Sequence, residues 1–212
     1  MSMSNVQDLF RGPISLRLPL FLTIGRICVS PLFIIIYLRY KYLGVSLYLL
    51  PFILLFFLML SELSDFFDGY LARRNNSVTE LGKLLDPMAD SITHLTIFLA
   101  FTQGLIRLPL FLVFIFIYRD AMVSTLRTLC ALRGVTLAAR ISGKIKALLQ
   151  GMAIFLVLIL MIPHVWGYLS LARFQDMSFY IITAAAIYTL FSGGEYIWMN
   201  RLYIKQAWGG ID

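Results

Sequence analysis

The chain has 212 residues, of which 60% are hydrophobic and only 14% charged, with a mean hydropathy of +0.84. A soluble domain is about half apolar and roughly a quarter charged, so this composition excludes an ordinary water-soluble fold and points to a chain dissolved in lipid. A net charge of +7 would suggest nucleic acid as a partner of a soluble protein, but here the basic residues gather at the ends of apolar runs, where they serve as topology signals and phosphate binders.

Residues 1–17 mix polar side chains with Val6, Leu9, Phe10, Ile14 and Leu16 and lack the pattern of a signal peptide. They predict a short interfacial segment, with Arg11 and Arg17 near lipid headgroups. Six apolar stretches follow, at 18–38, 45–63, 86–105, 108–129, 147–169 and 178–198. Each is close to the ~20 residues that cross the hydrocarbon layer as a helix. None alternates apolar with polar, as barrel strands do. The expected fold is an all-α membrane protein, with an interfacial segment at 1–17 and one six-helix domain over 18–212. Cys28 and Cys130 lie far apart and give neither a disulfide framework nor a zinc spacing, so both read as small apolar residues in or beside helices.

Basic residues orient the six spans. Arg11, Arg17, Arg73, Arg74, Lys83, Arg127, Arg133, Arg140, Lys144, Lys146, Arg201 and Lys205 fall on one side, against Arg39, Lys41, Arg107 and Arg173 on the other. The positive-inside rule then puts both termini and the two polar connections in the cytoplasm, with a bacterial inner membrane as the expected location.

The acidic residues cluster between the second and third spans. Asp65 and Asp68 are three apart, and Asp86 and Asp90 four apart, so on helices each pair shares a face. An antiparallel helix pair would bring all four to one membrane edge. Four converging carboxylates repel one another unless cations neutralise them, and an oxygen-only donor set suits Mg²⁺ or Mn²⁺. Gly69, Ala72 and Gly82 leave room for a ligand near the backbone.

The pattern Asp65-x2-Asp68-Gly69-x2-Ala72-Arg73-x8-Gly82-x3-Asp86-x3-Asp90 resembles the signature of the CDP-alcohol phosphotransferases at all eight fixed positions and every spacing. The resemblance implies a six-helix membrane enzyme that commonly forms homodimers. It implies that Asp65, Asp68 and Asp86, with Asp90 near them, hold two divalent metal ions. Asp90 would be the general base that takes the proton of the attacking hydroxyl. Asp68, Gly69, Ala72, Arg73 and Gly82 would seat the cytidine diphosphate part of CDP-diacylglycerol.

Tyr118-Arg119-Asp120, Ser124-Thr125-Leu126-Arg127 and Gly143-Lys144-Ile145-Lys146 with Gln150 resemble the bacterial phosphatidylglycerophosphate synthase branch of that family. The resemblance implies glycerol 3-phosphate as acceptor. An acceptor bearing a phosphate needs cations near the metal centre, and Arg119, Arg127, Arg140 and Lys144 are the candidates. For Arg119 the alternative is an ion pair with Asp120 or Glu62, since an unpaired cation inside an apolar span is costly. Ser91 departs from the branch, which generally has lysine there. His94, one turn after Asp90, reads as a buried side chain bonded to a neighbour.

Other readings share these residues. The same chemistry could serve another alcohol, such as inositol phosphate, inositol, serine or choline. A hydrolase would use water instead. A transporter could use the aspartates as a relay, although a relay spreads acids through the membrane depth and these gather at one edge.

Overall fold

The computed structural model describes residues 14–74, 80–132, 134 and 141–208, and for 14–24, 65–66, 68–74, 80–87 and 206–208 only the course of the backbone. Six helices run through these residues: α1 Ile14–Arg39, α2 Leu50–Arg74, α3 Glu80–Phe101, α4 Leu110–Leu132, α5 Ile141–Val165 and α6 Leu171–Trp208. No strand occurs among the described residues. Each predicted stretch therefore coincides with one helix, but the bounds differ: 45–49, 102–105, 108–109 and 166–169 lie outside the helices, and every helix also runs beyond its stretch at one or both ends. Hydropathy marks where a segment is apolar, whereas a helix continues until its backbone is broken. So α2 runs on past its apolar part into the polar residues up to Arg74.

Two helices, α5 and the Leu171–Lys205 part of α6, are long and apolar enough to cross a membrane; α2 and α3 carry the shorter apolar segments Leu50–Ser64 and Met88–Phe101. At about 1.5 Å per residue, the 38 residues of α6 extend well beyond a hydrocarbon layer of ~30 Å. α1 starts at Ile14, while the rest of the predicted interfacial segment, 1–13, lies outside the described residues.

The chain forms two compact units, Met1–Ala100 and Phe101–Asp212. In the first, α1 packs on α2, with Phe33, Tyr37, Leu50, Leu54, Leu58, Ile97 and Phe98 buried. In the second, α4 and α5 both pack on α6. The buried face of α6 is unusual in carrying Ser178, Thr189, Ser192 and Asn200 among Phe174, Ile182 and Tyr196, while Tyr180, Ile187, Phe191, Trp198 and Leu202 face outward. Three of these buried polar groups are satisfied within the helix. Ser178, Thr189 and Asn200 donate to the carbonyls four residues back at 2.7, 2.8 and 2.8 Å. Polar residues inside and large apolar residues outside is the arrangement that lipid as solvent favours. Cys130 is buried beside Val123 and Tyr196, whereas Cys28 lies on the exposed side of α1.

A tight turn joins α5 to α6. Gly167 has φ +84° just beyond α5, and the amides of Tyr168 and Leu169 donate to the Pro163 carbonyl at 2.9 and 3.2 Å. The His164 ring closes the turn, with Nδ1 2.9 Å from the Leu169 carbonyl oxygen and its face stacked 4.9 Å from Phe174. A left-handed residue costs little only as glycine, which is why the chain turns there.

Candidate active site

The four aspartates fall on consecutive helices of the first unit, Asp65 and Asp68 on α2 and Asp86 and Asp90 on α3. The connection between them is short, so both pairs lie toward the same joined ends of α2 and α3. The side chains of Asp65, Asp68 and Asp86, like those of Gly69, Ala72, Arg73 and Gly82, lie outside the described residues. Asp90 is described and keeps 29% of its side-chain surface, so it is shielded yet reachable. Among the described residues no group of three or more His, Cys, Asp or Glu side chains stands ready to hold a metal. The donor chemistry, carboxylate oxygen alone, fits a hard divalent cation.

One turn inward from Asp90, His94 is 3% exposed. Its Nε2 stands 3.3 Å from Glu62 Oε1 on α2 and 3.8 Å from Asp90 Oδ1. His94 is thus the buried, bonded side chain that its sequence position suggested. Glu62 was not foreseen in this role, although an acid inside an apolar run is a signal in itself. Arg26, buried on α1, lies within electrostatic reach of Glu62.

The second unit gathers its own charges. Arg119 on α4 donates through Nη1 to Asp120 Oδ1 at 3.0 Å and through Nη2 to Ser192 Oγ of α6 at 2.8 Å. Lys146 of α5 donates to both oxygens of Asp120, at 2.8 and 2.9 Å. Side-chain exposures are 10% for Arg119, 11% for Asp120 and 5% for Lys146. Arg119 and Lys146 thus meet at one carboxylate, in a group largely shielded from solvent. Arg119 lies in a slot between small residues. A Cβ on Gly193 would meet its Cγ at 3.1 Å, and one on Gly143 its Nη2 at 3.6 Å. Arg119 therefore takes the Asp120 partner that was the alternative to a substrate phosphate, while its buried Nε has no hydrogen-bond partner among the described residues.

Of the other predicted cations, Arg127 is half-buried with its guanidinium 6.0 Å from the Tyr196 ring centre. Lys144 is exposed, and Arg140 lies outside the described residues. Lys146, named in the 143–150 motif but not among the four acceptor candidates, and Ser192, which was not singled out, complete the cluster. A basic stretch beside a helix start reads first as anchoring charge, and nothing local marks a serine 73 residues from its partner.

The model of the CDP-alcohol phosphatidyltransferase family matches residues 16–192. The CDP-diacylglycerol–glycerol-3-phosphate 3-phosphatidyltransferase of Rickettsia typhi is 34% identical over 145 residues, which span 68% of this chain and 76% of the relative. The protein of the same name from Bacillus subtilis is 32% identical over 197 residues, spanning 90% of this chain and 98% of the relative. That of Shigella flexneri serotype 5b is 30% identical over 188 residues, spanning 85% and 93%. The match takes in the whole acidic pattern and the Arg119–Asp120–Lys146 group, and the chain belongs to the CDP-alcohol phosphatidyltransferase family.

Proposed function

We propose that this enzyme transfers the phosphatidyl group of CDP-diacylglycerol to glycerol 3-phosphate, releasing CMP and forming phosphatidylglycerol phosphate. The observation that carries the acceptor assignment is the gathering of Arg119 and Lys146 around Asp120, in a chain whose relatives are named for glycerol 3-phosphate. A phosphorylated alcohol brings a phosphate that basic side chains bind, whereas inositol or choline brings no anion.

In this reading Asp65, Asp68, Asp86 and Asp90 would hold two Mg²⁺ or Mn²⁺ ions, which withdraw charge from the two phosphates of the donor. Asp68, Gly69, Ala72, Arg73 and Gly82 seat the cytidine diphosphate. Asp90 accepts the proton of the acceptor hydroxyl as that oxygen bonds to the phosphatidyl phosphorus and the bond to the CMP oxygen breaks. Asp90 suits this role by being half-shielded, because a carboxylate fully engaged by cations is a poor base. Arg119, Arg127, Arg140 and Lys144 orient the acceptor phosphate.

Six transmembrane helices, with both termini and the active site on the cytoplasmic side of the inner membrane, let the lipid tails enter from the bilayer while CMP and glycerol 3-phosphate exchange with the cytosol. The outward aromatic and aliphatic faces support a position within the bilayer. A homodimer is the assembly that the family resemblance implies.

The test is CMP release by the purified protein with CDP-diacylglycerol and Mg²⁺ or Mn²⁺, across a panel of acceptors. Release that requires glycerol 3-phosphate and is lost in Asp90→Asn supports the proposal. Release with inositol phosphate, inositol, serine or choline alone reassigns the acceptor. No release with any acceptor, from folded and metal-loaded protein, rejects the transferase reading.

A further inference from the structure

We infer that His94, braced by Glu62, is a positioning residue that sets the orientation of the Asp90 carboxylate. The inference rests on the proposed role of Asp90 as base. Two helices supply the aspartates, and a base on α3 works only if it is held in register with the donor site on α2. The Glu62–His94 contact links those helices one turn inward from Asp65 on α2 and from Asp90 on α3. A single ring nitrogen faces both acids, at 3.3 Å from Glu62 and 3.8 Å from Asp90.

Burial makes this arrangement stiff. His94 is 3% exposed, and Thr93, Ile97 and Phe98 of the same helix are buried with it, so its ring is held away from solvent. Glu62 keeps 48% of its side-chain surface and fixes the ring from the outer side. The same nitrogen that meets Glu62 lies 3.8 Å from Asp90 Oδ1, close enough to act on that carboxylate's charge. A partner behind a functional carboxylate limits its rotamers in the way that outer partners orient metal ligands.

The test separates geometry from mere packing. His94→Leu fills the volume but removes the nitrogen. His94→Gln keeps an N–H near the Nε2 position. Glu62→Leu frees the ring from a half-exposed site, so it reports on the brace even where His94→Leu does not fold. By analogy with outer partners of functional ligands, His94→Leu lowers kcat by about 10- to 100-fold with KM for both substrates unchanged. Glu62→Leu lowers it less, and His94→Gln restores most of it. Wild-type kcat in folded Glu62→Leu and His94→Leu overturns the inference. So does equal loss in His94→Leu and His94→Gln, which marks the ring as core filling alone. Failure of the wild-type protein to release CMP with any acceptor instead rejects the function on which the inference depends.

Discussion

Lys146 Nζ lies 2.8 and 2.9 Å from the two carboxylate oxygens of Asp120, so one buried acid on α4 anchors the start of α5. The same acid holds Arg119, which in turn reaches Ser192 on α6. Three helices thus meet on a single carboxylate. Removing that carboxylate strands two buried cations, and breaking a buried pair by deleting one partner costs about 3–5 kcal/mol. Asp120→Ala is therefore expected to be strongly destabilised in chemical unfolding of the detergent-solubilised protein. Lys146→Met leaves Asp120 still paired with Arg119 and is expected to cost less.

Gly193 and Gly194 are adjacent yet face different surroundings. A Cβ at 193 would press on Arg119 Cγ at 3.1 Å and on Met122 Cε at 3.6 Å, whereas nothing lies within 4 Å of one at 194. Arg119 is pinned at its far end by Asp120 and Ser192, so the strain at Gly193 is relieved only by moving the guanidinium. Gly193→Ala is expected to raise KM for glycerol 3-phosphate severalfold, as a shift of about 1 kcal/mol in acceptor binding implies. Gly194→Ala leaves KM alone and stabilises the helix by about 0.5–1 kcal/mol. Steady-state kinetics and unfolding of the two variants check both halves.

The catalytic pattern was legible because it is local. Asp65, Asp68, Asp86 and Asp90 fall within 26 residues, on two helices joined by a short connection, and their spacing alone puts each pair on one face. Six helices were legible because apolar length is written in composition. What stayed hidden depends on packing between distant segments. Glu62 and His94 are 32 residues apart and Arg119 and Ser192 are 73 apart. A charged or polar residue inside an apolar run, such as Glu62 or Arg119, signals that a partner exists, but nothing nearby says which residue it is. Helix ends were misjudged for a related reason, since α2 and α6 run on through polar residues after hydropathy falls.

The proposed metal site gives a prediction that is independent of turnover. Four aspartates at one site would repel one another, and a divalent cation that binds only the folded protein stabilises it by mass action. At 100 times its Kd a single bound ion contributes about 2.7 kcal/mol. The unfolding midpoint in detergent is expected to rise with Mg²⁺ or Mn²⁺ and to fall back with EDTA. Asp68→Asn and Asp86→Asn flatten that response and abolish CMP release together. A midpoint indifferent to either cation would count against a resident metal.

Topology can be tested through the loops. The α1–α2 turn carries Arg39, Lys41 and the exposed Tyr42, and the α5–α6 turn carries Trp166 and the exposed Tyr168. The connection at 75–79, flanked by Arg73, Arg74 and Lys83, the connection at 133–140, which carries Arg133 and Arg140, and the end of α6 fall on the opposite side if all six helices cross. With Cys28 and Cys130 replaced by serine, single cysteines at Tyr42 and Tyr168 are expected to react with a membrane-impermeant maleimide on intact cells. A cysteine at Lys205 is expected to react only after the membrane is opened. Reaction at Tyr42 and Lys205 from the same side would mean that an odd number of the helices between them lies in the interface or outside the lipid, and the site would then have to be placed from the labelling pattern, not from the charge count.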